Sequence, residues 1–134
     1  MDIQRTGTSK DDDERQSRDL NSLNYGKIVH IFLKGQAKEQ YIQLQKRYDK
    51  RSRSILRKID SIKEILKKNP QYGSPIPHRL IPAEFKKLGI TNIYRIELPA
   101  YWRMFYTIEG NVIEIFIFVL FIGDHKEYDK LMKY

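Results

Sequence analysis

The chain has 134 residues, 40% of them hydrophobic, and no cysteine; this length predicts one domain around one core and leaves no room for a nucleotide-binding fold plus a second catalytic domain. Without cysteine, disulfides and thiolate zinc sites are excluded. Its 25 Lys and Arg against 17 Asp and Glu give a formal net charge of +8, a field that concentrates polyanions such as nucleic acid at the surface.

Residues 1–24 hold four basic and six acidic side chains and almost nothing apolar, which reads as a disordered acidic leader. That leaves 21 basic and 11 acidic groups in residues 25–134, so the folded domain itself is expected to carry +10. No apolar run reaches the roughly 18 to 20 residues of a membrane span, and the first residues are polar where a secretory signal would be apolar. The sequence therefore reads as a soluble cytoplasmic protein without a membrane partner.

Tyr25 to Leu33 is short, rich in β-branched and aromatic residues and ends before Gly35, which predicts a first strand. From Ala37 the period changes: Ala37, Tyr41, Leu44 and Tyr48, then Ile55, Ile59, Ile62 and Leu66, recur at helical spacing. The phase runs on from Tyr48 to Ile55, so periodicity permits one long helix. The polar stretch Asp49 to Ser54, with Ser52 as N-cap, permits a hairpin, and the hairpin is favoured because one helix of about 30 residues would overshoot so small a domain. Asn69-Pro70 ends the second helix. Eleven basic and four acidic side chains lie between Lys38 and Lys68; such a surplus is commonly a solvated face, and it also suits a phosphate backbone.

Gln71 to Ile90 holds three prolines and two glycines and reads as loop with one helical turn at Ala83 to Leu88. Three strands follow, Ile93 to Leu98, Trp102 to Glu109 and Val112 to Ile122, paired as an antiparallel meander. Glu109-Gly110-Asn111 marks the tight turn between the last two, with glycine and asparagine supplying positive φ. In the last strand Ile113, Ile115, Ile117, Val119 and Phe121 alternate with Val112, Phe116, Phe118, Leu120 and Ile122. A strand apolar on both faces is central, covered by the helices on one side and by a short closing helix, Lys126 to Lys133, on the other. The expected class is α+β.

In the meander, period-two alternation puts Arg95 and Glu97 on one face and Tyr94, Ile96 and Leu98 on the other, while Arg103 shares a face with Tyr101, Phe105 and Thr107. An arginine inside an apolar hairpin needs an anionic partner or a solvated cleft. One reading is a structural ion pair with Glu97 or Glu114; the other is an anion clamp. His125 follows the last strand where functional loops commonly sit, and an imidazole exchanges protons near neutrality. Trp102 and Tyr106 face away from Arg103, toward the core. The folded part lacks clustered carboxylates, so no metal and no cofactor is expected. A DNA-binding regulator is disfavoured, since neither a helix-turn-helix pair nor a zinc module is visible.

Tyr94-Arg95-Ile96, the strand centred on Trp102-Arg103-Met104-Phe105-Tyr106, and Ile122-Gly123-Asp124-His125-Lys126-Glu127-Tyr128 together resemble the RelE/ParE toxin superfamily. The order of strand, helical hairpin, meander and C-terminal helix is similar too, over about residues 25–134. The resemblance implies a RelE-like fold. It also implies a toxin of a type II toxin–antitoxin system: a metal-independent endoribonuclease that cuts mRNA, often on the ribosome, and is silenced by a cognate antitoxin. It gives Arg103 the scissile phosphate, Arg95 a second basic position, His125 proton transfer, and Tyr128 a positioning, stacking or proton-donating role. Glu97 departs from the pattern, because a basic residue often stands there in ribosome-dependent members; Glu97 or Glu84 is then a candidate general base. Lys86, Lys87, Lys126 and Tyr101 are candidate RNA contacts. The alternative is a toxin-fold protein that inhibits a topoisomerase, or only binds RNA or a protein partner.

Overall fold

A computed structural model describes residues 26–111 and 113–133; the leader expected over residues 1–24, together with Tyr25, Val112 and Tyr134, lies outside the described residues. In chain order the elements are β1 (Ile28–Leu33), α1 (Gly35–Lys46), α2 (Lys50–Lys68), β2 (Ser74–Pro75), α3 (Ala83–Lys86), β3 (Tyr94–Leu98), β4 (Trp102–Gly110), β5 (Glu114–Gly123) and α4 (His125–Met132). The fold is α+β, with a five-stranded mixed sheet in the order β1-β5-β4-β3-β2. β3, β4 and β5 form the expected antiparallel meander, and β1 pairs parallel to β5 at one edge. A parallel neighbour requires a crossover, and the α1–α2 hairpin opens the long connection between them.

The hairpin breaks at residues 47–49, between α1 and α2. α2 is capped by Asp49, whose carboxylate accepts the Ser52 N–H at 3.0 Å. Ser52 itself is buried in the first turn, so the cap falls three residues earlier than its own hydroxyl suggested. Tyr48, which continues the helical spacing on paper, lies in the break and is 84% exposed. Ile55, Ile59, Ile62 and Leu66 are fully buried against Met104, Tyr106, Ile117 and Val119 of the sheet. Each such side chain contributes roughly 2 kcal/mol through burial.

The proline-rich segment is more ordered than a loop. It adds β2 to the free edge of β3 through the Ser74–Arg95 and Pro75–Tyr94 pairs, and its helical turn, α3, spans Ala83–Lys86. Tyr106 holds it from below: the hydroxyl donates to the Pro70 carbonyl at 2.7 Å and accepts the Gly73 N–H at 2.9 Å.

Two local expectations are corrected. At the β4–β5 turn neither Gly110 nor Asn111 has positive φ. Gly110 is there for space, since a Cβ would lie 2.7 Å from the Glu114 carbonyl oxygen, and the Asn111 side chain accepts the N–H groups of Ile113 and Glu114, both at 2.8 Å. In β5 strict alternation fails: Phe105 pairs with Phe121 but Tyr106 with Val119, leaving Leu120 as an extra residue. This bulge reverses the faces beyond it. Ile122 therefore joins Ile117 and Val119 under the helices, and Phe121 joins Phe105, Phe85 and Tyr128 on the other side. Among the described residues no helix is long and apolar enough to cross a membrane.

Candidate functional site

The sheet face away from α1 and α2 carries the charged cluster. In the β3–β4 register Glu97 stands directly opposite Arg103, with Arg95 two residues back on the same face. Arg103 Nε lies 3.1 Å from Glu97 Oε1, and Arg95 Nη2 lies 3.4 Å from Glu97 Oε2. One carboxylate, 59% exposed, thus meets two guanidinium groups. The Arg103 side chain is 20% exposed, and its Nε is enclosed and off-line for a hydrogen bond to Glu97 despite the short ion contact. Arg103 is thus largely covered, and its partner is the more open Glu97. Glu114 bonds His30 across the β1–β5 pair at 2.9 Å instead.

Tyr128 reaches this cluster from α4. Its hydroxyl accepts from Arg95 Nη1 at 3.0 Å, and the Arg103 guanidinium sits 5.4 Å from its ring centroid. The ring itself is buried against Phe105. The Arg103 head is thus bracketed by a carboxylate and an aromatic ring, which fixes its plane by charge and cation–π attraction.

His125 is not in a loop, as its place after the strand suggested: it is the first residue of α4. Asp124 caps the helix, accepting the Glu127 N–H at 2.9 Å, while Glu127 accepts the Asp124 N–H at 3.1 Å. This capping box satisfies two helix-end donors at once. Gly123 makes room for it, because a Cβ there would fall 2.9 Å from Glu127 Oε1 and 2.7 Å from the Phe121 ring. The exposed His125 ring meets the edge of Tyr101 at 6.3 Å, and Arg103 pairs with Gly123 in the sheet. Gly123, opposite Arg103 in the sheet, thus lies two residues before His125, at the corner where the imidazole meets the Tyr101 phenol.

Sequence reasoning missed the residues that hold this corner. Gln36 of α1 donates to the Ile122 carbonyl at 2.7 Å and accepts the Ile122 N–H at 3.0 Å, taking the place of a strand partner at the end of β5. Gln40, one turn on, donates to Glu127 at 3.2 Å. The only available signal was two glutamines spaced i, i+4 on a helix. A second missed feature is the β3–β4 connection, where Ala100 and Tyr101 adopt φ of 60° and 63°.

Other predicted positions stay outside. Glu84, Lys86 and Lys87 are exposed on or beside α3, whose Phe85 joins the small core around Tyr128. No hydrogen bond or ion pair among the described residues joins these three to the arginines. Lys126 is exposed on α4 beside His125. Among the described residues, no three His, Asp or Glu side chains form a group able to hold a metal ion. No family model, curated protein or solved structure matches the chain.

Proposed function

We propose that the protein is a RelE-like endoribonuclease that cleaves mRNA without a metal and acts as the toxin of a toxin–antitoxin pair. The observation that carries this reading is the convergence of Arg95 and Arg103 on Glu97, with Tyr128 between the arginines and His125 at the same corner. A phosphodiester entering this face replaces the carboxylate between the two guanidinium forks, which match pairs of phosphate oxygens. Glu97, released, takes the proton from the ribose 2′-hydroxyl as O2′ attacks phosphorus. His125 gives a proton to the departing 5′-oxygen. The arginines stabilise the charge that builds on the phosphorane. The products are a 2′,3′-cyclic phosphate and a 5′-hydroxyl.

A second reading has its own observation: Glu97 already neutralises both arginines, which suits a face that binds a protein, such as a topoisomerase, without chemistry. Cleavage of RNA in EDTA, with and without programmed ribosomes, separates the two. The nuclease reading expects activity to fall by about 100-fold or more in Arg103→Ala, and to fall also in Glu97→Gln and His125→Ala. Equal poisoning of cells by these variants and the parent overturns it in favour of the binder. A small acidic protein encoded next to this one, binding it tightly, is the expected antitoxin.

A further inference from the structure

The α1–α2 hairpin packs on the sheet face opposite the arginine cluster, and its tip concentrates cations at a helix start. A helix N-terminus carries a partial positive charge and favours acidic residues, yet the first turn of α2 has no acidic residue and begins Lys50-Arg51. Residues 46–53 hold five cations and one carboxylate. That carboxylate, Asp49, is committed to the cap. Arg47, Lys50, Arg51 and Arg53 are all exposed. Local repulsion of this kind lowers stability, and among the described residues Asp49 is the one carboxylate within residues 46–53 to set against five cations, a surplus that suits an anionic partner.

An independent observation names the partner's chemistry. Tyr48, at the tip, is 84% exposed, the largest exposure among the large hydrophobic side chains of the described residues, and the Arg53 guanidinium lies 5.8 Å from its ring centroid. A solvated aromatic face flanked by cations is the arrangement that grips an unpaired polynucleotide: bases stack on the ring while phosphates meet the charges. We propose that the tip of the α1–α2 hairpin is a docking site for single-stranded nucleic acid, with Tyr48 stacking on a base and Arg47, Lys50, Arg51 and Arg53 contacting the flanking phosphates. The site lies on the other side of the sheet from the proposed cleavage centre and stands without it.

Binding is measured by fluorescence anisotropy with the full chain and labelled oligonucleotides of about 20 nucleotides, one of 2′-O-methyl RNA, which 2′-hydroxyl attack cannot cleave, and one of DNA. Tyr48→Ala is expected to weaken binding about tenfold with an unchanged salt dependence. Lys50→Glu with Arg51→Glu is expected to raise Tm by a few degrees, since acids suit a helix start, while lowering affinity at least about tenfold more than the charge-matched control Lys38→Glu with Lys58→Glu. Losses equal to the control's, or a Tyr48→Ala variant that binds like the parent, overturn the proposal. Parental affinity in both tip variants assigns these cations to an acidic protein instead and overturns it too. Failure of cleavage with binding intact counts against the nuclease reading alone.

Discussion

Toward α1 and α2 the sheet presents Ile96, Met104, Tyr106, Ile117 and Val119 to a helical layer that seals them, whereas toward α4 it presents Arg95, Glu97 and Arg103 beside Phe105 and Phe121. The sealed face is long-range, apolar and carries the stability of the domain. The other is covered only in part: α4 and α3 close over Phe105, Phe121 and Tyr128, and the charged groups remain in contact with water. The β5 bulge at Leu120 allows one strand to serve both, sending Ile122 to the first face and Phe121 to the second. Mutations on the two faces therefore separate stability from the proposed chemistry, and the largest effect is expected on the sealed side. Ile59→Ala, at a fully buried position, costs about 3 to 4 kcal/mol in urea unfolding. Arg103→Ala, at a side chain largely covered by Glu97 and Tyr128, costs about 2 kcal/mol, still less than Ile59→Ala, and on the nuclease reading it removes cleavage. Equal destabilisation by the two would break the comparison.

Tyr106 sharpens it next. It is fully buried on the helical side, and its hydroxyl joins Pro70 and Gly73. Tyr106→Phe leaves a carbonyl and an N–H without that partner, a loss of about 2 kcal/mol. Burial pushes the Tyr106 hydroxyl up to about 12, above the unfolded value of about 10. The unfolded chain therefore loses this proton first. The stability linked to Tyr106 is fully present below about pH 10 and is lost as pH rises through about 12. Burial and Asp60 also push the Tyr41 hydroxyl up, so the parent weakens in alkali through both groups and Tyr106→Phe retains only the Tyr41 part. Urea midpoints followed from neutral to alkaline pH check the difference.

Elements and faces were legible where a single local period governed them. The end of α2 at Asn69 and the placing of Arg95, Glu97 and Arg103 on one face follow from proline and spacing, whereas the α1–α2 break, across which the helical phase runs on, was legible only from the polar stretch and the size of the domain. What was hidden depends on backbone events without a sequence mark. The bulge at Leu120 lies within an unbroken apolar run, so nothing in Val119-Leu120-Phe121-Ile122 signals the change of face. Tyr48 fits the helical phase and leaves the core only because the chain turns at 47–49. Gln36 and Gln40 look like ordinary surface residues until β5 ends beside them. Glu97 and not Glu114 meets Arg103 because the β3–β4 register sets Glu97 directly opposite it, while Glu114 begins β5 at the other end of the β4–β5 ladder.

Gln36 tests whether the sealed side also positions the open one. Its two hydrogen bonds to Ile122 fix the end of β5 two residues before the cap of α4. Gln36→Ala is expected to cost about 1 kcal/mol and, on the nuclease reading, to lower kcat several-fold with little change in KM, because His125 and Tyr128 lose their fixed origin while the arginines stay in place. Gln36→Glu keeps one acceptor for the Ile122 N–H and recovers part of the loss. A change confined to Tm would reduce Gln36 to a structural role.

The smallest expected effect has the opposite sign. Pro99-Ala100-Tyr101-Trp102 turns tightly, with the Trp102 N–H donated to the Pro99 carbonyl and positive φ at both central residues. That is the pattern of a type I′ turn, for which Asn-Gly is the favoured pair. Ala and Tyr in left-handed backbone each cost roughly 1 kcal/mol or more, and such strain tends to persist where a site uses it. Here it carries Tyr101 to the edge of His125. Ala100→Gly relieves one of the two strained residues and is expected to stabilise the protein by about 0.5 to 1 kcal/mol, a gain visible as a higher Tm. If the turn holds Tyr101 against His125 for function, the same variant loses cleavage as it gains stability, since a freer residue 100 lets the ring wander. A variant that gains in both would show that the strain is incidental to the site.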